Sequence, residues 1–285
     1  MPKNMVALGT FDGLHIGHKA VLNQILNKGG SPIALTFNLP PKASECKNLL
    51  MTPEEKITAM QRLGIKVVVL DFEKIKNLTA TQFLTDIAKE YNPSVIASGF
   101  NFRFGKNALG STDDLQTFCN ENGIKFCLAN AVLSGDMPVS STRIRQAVLN
   151  GEIALANQML GRRFCYTAPV LHGDERGRVL GFPTINQLYP EIMVKPKYGV
   201  YASLTEIDGK IYKSVTDIGI RPTFKTDYTI SETNIFDFDK SVYGKTVKVY
   251  LVDFIRAEQR FASVENLKNS IDNDKQKALE ILKSV

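Results

Sequence analysis

The chain has 285 residues, 44% of them hydrophobic and 22% charged, which supports a sizeable packed core and excludes wholesale disorder. At ~100–200 residues per domain it reads as two domains. Lys and Arg number 35 against 29 Asp and Glu, a formal charge of +6; this suits phosphate-bearing partners, but the basic residues are scattered, so no nucleic-acid partner is expected.

Apolar stretches such as Val67-Val68-Val69-Leu70 are too short to span a bilayer. No charged segment followed by an apolar one opens the chain. A cytoplasmic location without a membrane partner is therefore expected. Cys46, Cys119, Cys127 and Cys165 form no C-x-x-C pair and no zinc spacing, and read as reduced, partly buried thiols.

The first half alternates strand-like and helix-like segments. Residues 5–8 read as a strand, 9–17 as a loop and 18–27 as an amphipathic helix. A strand is predicted over 32–37, a helix over 53–63 capped by Thr52, and a buried strand over 65–72. A helix over 79–90 and a strand over 94–98 follow. This alternation predicts an α/β domain: a Rossmann-like parallel sheet with helices on both faces and ligands at the carboxyl ends of its strands. Beyond Gly161 short alternating runs dominate, at 164–171, 199–206, 213–218, 229–238 and 247–252. Turn signals at Asp208-Gly209 and Tyr243-Gly244-Lys245 separate them. They predict an antiparallel barrel or sandwich, closed by a helix over 264–283. The boundary falls near 160, giving domains 1–160 and 161–285.

The segment Gly9-Thr10-Phe11-Asp12-Gly13-Leu14-His15-Ile16-Gly17-His18 joins a strand to a helix. One helical turn separates His15 from His18, so both can face one ligand. Glycines permit close backbone approach, and a helix start offers unpaired N–H groups to an anion. These are the parts of a phosphate site that can take charge developing on a transferring phosphoryl group. Alone, the segment also fits a turn with two surface histidines. A second element, Ser140-Ser141-Thr142-Arg143-Ile144-Arg145, precedes an apolar helix at 146–149. Arginines in a first turn oppose the helix dipole, which an anion there would relieve. A third, Gly99-Phe100-Asn101-Phe102-Arg103-Phe104-Gly105, follows a predicted strand and fits either packing or a flat aromatic ligand carrying phosphate.

In this order, and with Leu50-Met51-Thr52-Pro53-Glu54-Glu55-Lys56 between them, these segments resemble the adenylyltransferase module of prokaryotic bifunctional riboflavin kinase/FAD synthetases. The resemblance implies that FMN attacks the α-phosphate of ATP, giving FAD and pyrophosphate. It implies that His15 and His18 contact the phosphates and the transition state, with Gly9, Phe11 and Gly17 lining ATP. Ser141, Thr142 and Arg145 would hold the β- and γ-phosphates, and Asn101, Arg103 and Phe104 would meet the flavin. Two departures stand out: Asn101 where the family often has Asp, and Asn38-Leu39-Pro40-Pro41 where it often has D-P-H-P.

The second half holds His172-Gly173-Asp174-Glu175-Arg176-Gly177-Arg178, leading to Gly181-Phe182-Pro183-Thr184-Ile185-Asn186. This reads as a glycine-rich flap over phosphates or as a plain hairpin loop. On a strand, Thr184 and Asn186 share a face and offer two neutral oxygens to a hard cation such as Mg²⁺. Glu232 lies in a strand-like run, where a lone Glu is ordinarily a solvated charge. These segments, with Tyr198-Gly199-Val200-Tyr201 and the run from Ile218 to Phe224, resemble the family's riboflavin kinase module, a six-stranded antiparallel barrel. The resemblance implies that Glu232 is the general base toward the ribityl hydroxyl of riboflavin. Gly173, Gly177 and Arg178 would then contact ATP, Thr184 and Asn186 would hold Mg²⁺, and Arg256 would meet the flavin. Departures are Ile185 for Ala, a bulkier neighbour of the metal site, Asp217 for Asn, and Asn234 for His.

The whole resembles an enzyme that converts riboflavin to FMN and FMN to FAD with Mg-ATP. The rival readings are a single active module, with the first domain only binding nucleotide, and a non-enzymatic flavin- or nucleic-acid-binding regulator.

Overall fold

The computed structural model describes residues 3–26, 28–40, 47–172, 182–222 and 227–284. The chain divides into two compact units, Met1–Ser141 and Thr142–Val285. In the first, five parallel strands form one sheet: β1 (Asn4–Leu8), β2 (Ser31–Thr36), β3 (Lys66–Val69), β4 (Pro93–Gly99) and β5 (Lys125–Ala129), in the order β3-β2-β1-β4-β5.

Alternate residues of these strands feed two cores. Met5, Ala7, Ala34 and Ala97 meet Val21 and Leu22 of α1 (Ile16–Asn23) and Met60 of α2 (Pro53–Gln61). Val6, Leu8, Ile33, Leu35 and Ile96 meet Phe83, Leu84 and Ile87 in Ala80–Tyr91 and Leu115 and Cys119 in Thr112–Glu121. The sheet is therefore covered on both faces, as an all-parallel sheet requires. A short helix at Phe72–Ile75 comes between; these three helices are α3 (Phe72–Ile75), α4 (Ala80–Tyr91) and α5 (Thr112–Glu121). The strand expected as buried over 65–72 is shorter and half-exposed, because β3 is a sheet edge and Asp71 already caps α3. Strand order reverses direction between β1 and β4, so the loops that leave these two strands flank the crevice where such sheets bind ligands.

The second unit is a closed six-stranded antiparallel barrel. Its strands are β8 (Phe164–Leu171), β9 (Thr184–Leu188), β10 (Gly199–Ile207), β11 (Lys210–Pro222), β12 (Asp227–Ile235) and β13 (Thr246–Ala257), after the small hairpin β6 (Leu133–Ser134) and β7 (Met137–Pro138) of the first unit. Val200, Ala202 and Leu204 face outward and pack against Ala278 and Leu282 at the end of α8 (Val264–Ile281) and beyond it. The opposite face of the same strand turns hydroxyls inward. Ser203 meets Ser214 and Thr216 at 2.8 Å each, Thr205 donates to Ser214 at 2.9 Å, and Thr216 meets Thr233 at 2.9 Å. A buried polar row of this kind is tolerated because its members satisfy one another.

Two further helices, α6 (Ser141–Asn150) and α7 (Ile153–Leu160), precede the barrel. The compact units part ahead of the 160/161 boundary read from the sequence because α7 is bound to barrel strands. Asn157 donates to the Leu251 and Val252 carbonyls and accepts from the Phe164 N–H. Gly199 opens β10 at φ +145, and a Cβ there would lie 2.2 Å from the Arg256 carbonyl oxygen. Gly199→Ala is therefore expected to cost the barrel about 1–3 kcal/mol by forcing two paired strands apart. A lowered urea midpoint checks this, and an unchanged midpoint would refute it.

Candidate active sites

The first site grows from the end of β1. Phe11 takes a left-handed conformation (φ 52), and Asp12–Leu14 forms a single tight turn that delivers His15 to the N-cap of α1. There the His15 Nδ1 accepts the His18 backbone N–H at 3.2 Å. A neutral imidazole that accepts at Nδ1 carries its proton at Nε2, so His15 presents an Nε2–H donor. The two rings stack at 3.6 Å with an 18° interplanar angle. The fully buried Phe11 ring meets the His18 ring edge-on at 5.4 Å. Gly17 has a steric reason: a Cβ there would sit 3.1 Å from the His15 ring.

Burial keeps both histidines neutral. His15 is only 5% exposed, and desolvation pulls its pKa from 6.5 to about 4. Desolvation first, then the cost of a second positive charge beside His15 and Lys56, pull His18 well below the usual range. The His18 Nδ1 is buried with no hydrogen-bond partner among the described residues. An unpaired buried polar atom is costly, and here it lies next to the helix start that can receive an anion.

Two residues that had no assigned role support this turn. Asp12 is buried, and its Oδ1 accepts the Leu50 N–H at 3.0 Å. Lys56 is 4% exposed, and its ammonium donates to the Thr10 carbonyl at 3.1 Å and to the Phe37 carbonyl. Thr36 Oγ1 donates to the same Thr10 carbonyl at 2.9 Å. The sequence signal for Lys56 was present. It lies four residues before the buried Met60 on the core-facing side of α2.

Ser141 donates to the Asp12 carbonyl at 3.0 Å, fixing the first residue of α6 against the turn. The helix expected at 146–149 runs over the whole of Ser141–Asn150, so Thr142 and Arg145 lie in its first turns; Thr142 is exposed and Arg145 buried. After β4, Asn101 and Arg103 are exposed, as a ligand contact requires. Phe104, expected at the flavin, is 6% exposed, packs on Phe83 and Phe102, and bridges back to Gly110 across the loop. Phe100, at 42% exposure, is the open aromatic of that segment.

The second site lies on the outward face of the barrel. Glu232 is opposite Asn186 on one side and opposite Asp217 on the other. Val200 is opposite Asp217 and Arg256, which extends the row to β13. Residues directly opposite on neighbouring strands share a face, so this row gathers Asn186, Glu232, Asp217 and Arg256. Asn186 is 8% exposed, and its Oδ1 has no hydrogen-bond partner among the described residues. Thr184 shares its face. Ile185 points the other way, into an apolar cluster with Val170, Ile207 and Val247. The extra bulk at Ile185 is therefore directed away from the face that Thr184 and Asn186 share.

Asp217 is exposed to solvent but surrounded by charged neighbours. Desolvation, with Glu258, Glu232 and Asp274, raises its pKa to about 6 against the opposing pull of Arg256. Arg256, expected at the flavin, is paired with a carboxylate of the closing helix. Its Nε and Nη2 bind the Asp274 carboxylate at 2.7–3.0 Å, and its guanidinium lies 5.6 Å from the Phe261 ring centroid. It ties β13 to α8. The expected ATP contacts Gly173, Gly177 and Arg178 fall outside the described residues.

The FAD synthetase family model matches residues 1–143, and the riboflavin kinase model matches residues 160–282. The bifunctional riboflavin kinase/FMN adenylyltransferase of Bacillus subtilis (strain 168) is 34% identical, over 97% of this chain and 92% of its own length. That of Escherichia coli (strain K12) is 32% identical, over 97% and 92%. A solved structure from Streptococcus pneumoniae, described as a macrolide-efflux protein, is 30% identical with a TM-score of 0.88 and covers 98% of this chain and 94% of its own. Among the described residues no helix is long and apolar enough to cross a membrane.

Proposed function

The chain belongs to the bifunctional riboflavin kinase/FMN adenylyltransferase family, and we propose that its two reactions divide between the two constellations just described. It phosphorylates riboflavin to FMN with ATP, and it adenylylates FMN to FAD with ATP. We assign the adenylyltransferase to residues 1–160 and the kinase to 161–285.

In adenylyl transfer, an FMN phosphate oxygen attacks the α-phosphorus of ATP and pyrophosphate leaves. His15 donates its Nε2–H to the phosphate oxygens, and His18 supplies a second imidazole donor. The free N–H groups at the start of α1 add a positive dipole end. Gly9 and Gly17 let the nucleotide approach the backbone, and Phe11 holds the His18 ring. Ser141, Thr142 and Arg145 take the outer phosphates. Asn101 and Arg103 face the flavin, with Phe104 packing behind them.

In the kinase reaction, Glu232 accepts the proton of the terminal ribityl hydroxyl as that oxygen bonds to the γ-phosphorus and ADP leaves. The buried Asn186 Oδ1, without a partner among the described residues, suits a hard cation. Thr184 and Asn186 would hold Mg²⁺, which neutralises phosphate charge when bound. Arg256 acts through its tie to α8, which shapes the wall beside the site.

The observation that carries this reading is the in-register row Asn186–Glu232–Asp217 in one unit and the stacked His15–His18 pair in the other. Incubating the protein with riboflavin, ATP and Mg²⁺ and resolving flavins by chromatography is expected to show FMN rising first and FAD after it. FMN without FAD would leave a single active module. RNA binding without ATP turnover would make the chain a regulator. We further place the protein in the cytoplasm, releasing FAD to other proteins, without nucleic-acid or membrane partners.

A further inference from the structure

Lys56 is a buried lysine, 4% exposed, that neither reaction above uses. Buried lysines are rare unless paired, and here the acceptors are two backbone carbonyls, Thr10 after β1 and Phe37 after β2. The ammonium thus joins the carboxyl ends of two neighbouring strands directly beneath the turn that carries His15 and His18. The titratable groups around it are Asp12 on that turn, whose carboxylate favours the ammonium, and His18 on α1, whose proton affinity it lowers, with His15 stacked beyond. The two imidazoles are neutral, so they offer donors but no charge to a polyphosphate.

We propose that Lys56 is a positioning residue for adenylyl transfer: its ammonium holds the turn that aims His15 and His18, and it provides the fixed positive charge that the neutral rings lack. This rests on the assignment of ATP phosphates to those histidines. Burial also lowers the Lys56 pKa from 10.5 to about 8. Lys56 is charged below that pH and loses its charge above it, so FAD synthesis should carry an alkaline limb near pH 8.

Lys56→Met keeps the stem and removes the charge. It is expected to lower kcat/KM for ATP in FAD synthesis by about 10–100-fold and to leave riboflavin phosphorylation by the same polypeptide unchanged. The wild-type limb near pH 8 should be absent from the residual activity of Lys56→Met and displaced upward in Lys56→Arg, since a guanidinium stays ionised. A purely structural lysine would move neither limb. A wild type without the limb, a limb shared by both variants, or equal loss of both activities in Lys56→Met overturns the proposal. A wild type that makes no FAD from FMN defeats instead the assignment on which it rests.

Discussion

Replacing Glu232 by Gln is expected to lower FMN formation by about 10²–10⁴-fold, the usual contribution of a positioned general base, and to leave FMN-to-FAD conversion intact. Gln keeps the size and hydrogen-bonding reach of Glu but cannot accept the ribityl proton. Its neighbours in the row stay in place, because the β12 pairings with β9 and β11 run through the backbone. Asp217 makes the experiment sharper. It is the carboxylate directly opposite Glu232 among the described residues, and its pKa is raised to about 6. A carboxyl group accepts a proton only when ionised, and Glu232 is one of the charges that raise the Asp217 pKa, so residual turnover carried by Asp217 in the Glu232→Gln protein should grow with pH through a midpoint below that of the intact row. Adding Asp217→Asn should remove that residue of activity. The two half-reactions are read separately, from riboflavin and from FMN. Unchanged kinase turnover in Glu232→Gln would take Glu232 out of the mechanism.

The parts of this molecule legible in the sequence are those whose physics is local. The Gly9–His18 segment combines strand end, turn and helix cap in one stretch, so its chemistry shows without the fold. Residues 164–171 match β8 because alternation and flanking breakers agree there. Alternation misleads about direction in β10, where Ser203 and Thr205 point into the barrel and Val200, Ala202 and Leu204 point out to α8. That inversion depends on hydroxyl partners from β11 and β12, which no single strand reveals. The helix α5 and strand β5 carry little periodic signal: α5 is mostly polar and rests on the Ser111–Asp114 capping box, and β5 is a half-exposed edge. Lys56 and Asp217 were missed as site residues for the same reason. The first depends on the phase of α2 against a turn far earlier in the chain, the second on strand register. Phe104 and Arg256 were legible as residue types, but their actual partners, Phe83 and Asp274, come from tertiary packing.

Replacing His15 and His18 by Ala should have the opposite selectivity: FAD synthesis falls while riboflavin phosphorylation continues. Loss of one preorganised donor costs about 10²–10³-fold, so each single replacement should fall in that range, and the pair, acting on one polyphosphate, should not be additive. His15 has two separable duties. Its Nδ1 caps α1 by accepting the His18 N–H, and its Nε2–H is the free donor. His15→Asn separates them, because Asn is a good N-cap whose side-chain oxygen replaces Nδ1 but which has no atom where Nε2 stood. His15→Asn is therefore expected to keep the thermal stability of wild type while losing as much FAD synthesis as His15→Ala. Retained synthesis would reduce His15 to a cap. The pH profile gives an independent check. With the His15 pKa pulled to about 4 by burial, the ring becomes charged only as pH falls through 4. The kcat/KM for FAD synthesis, which reports the free enzyme, should thus show no histidine limb near 6.5. A limb at 6.5 that vanishes in His15→Asn would mean that the imidazole works as a cation in an open, solvated site, and the neutral-donor mechanism would fall.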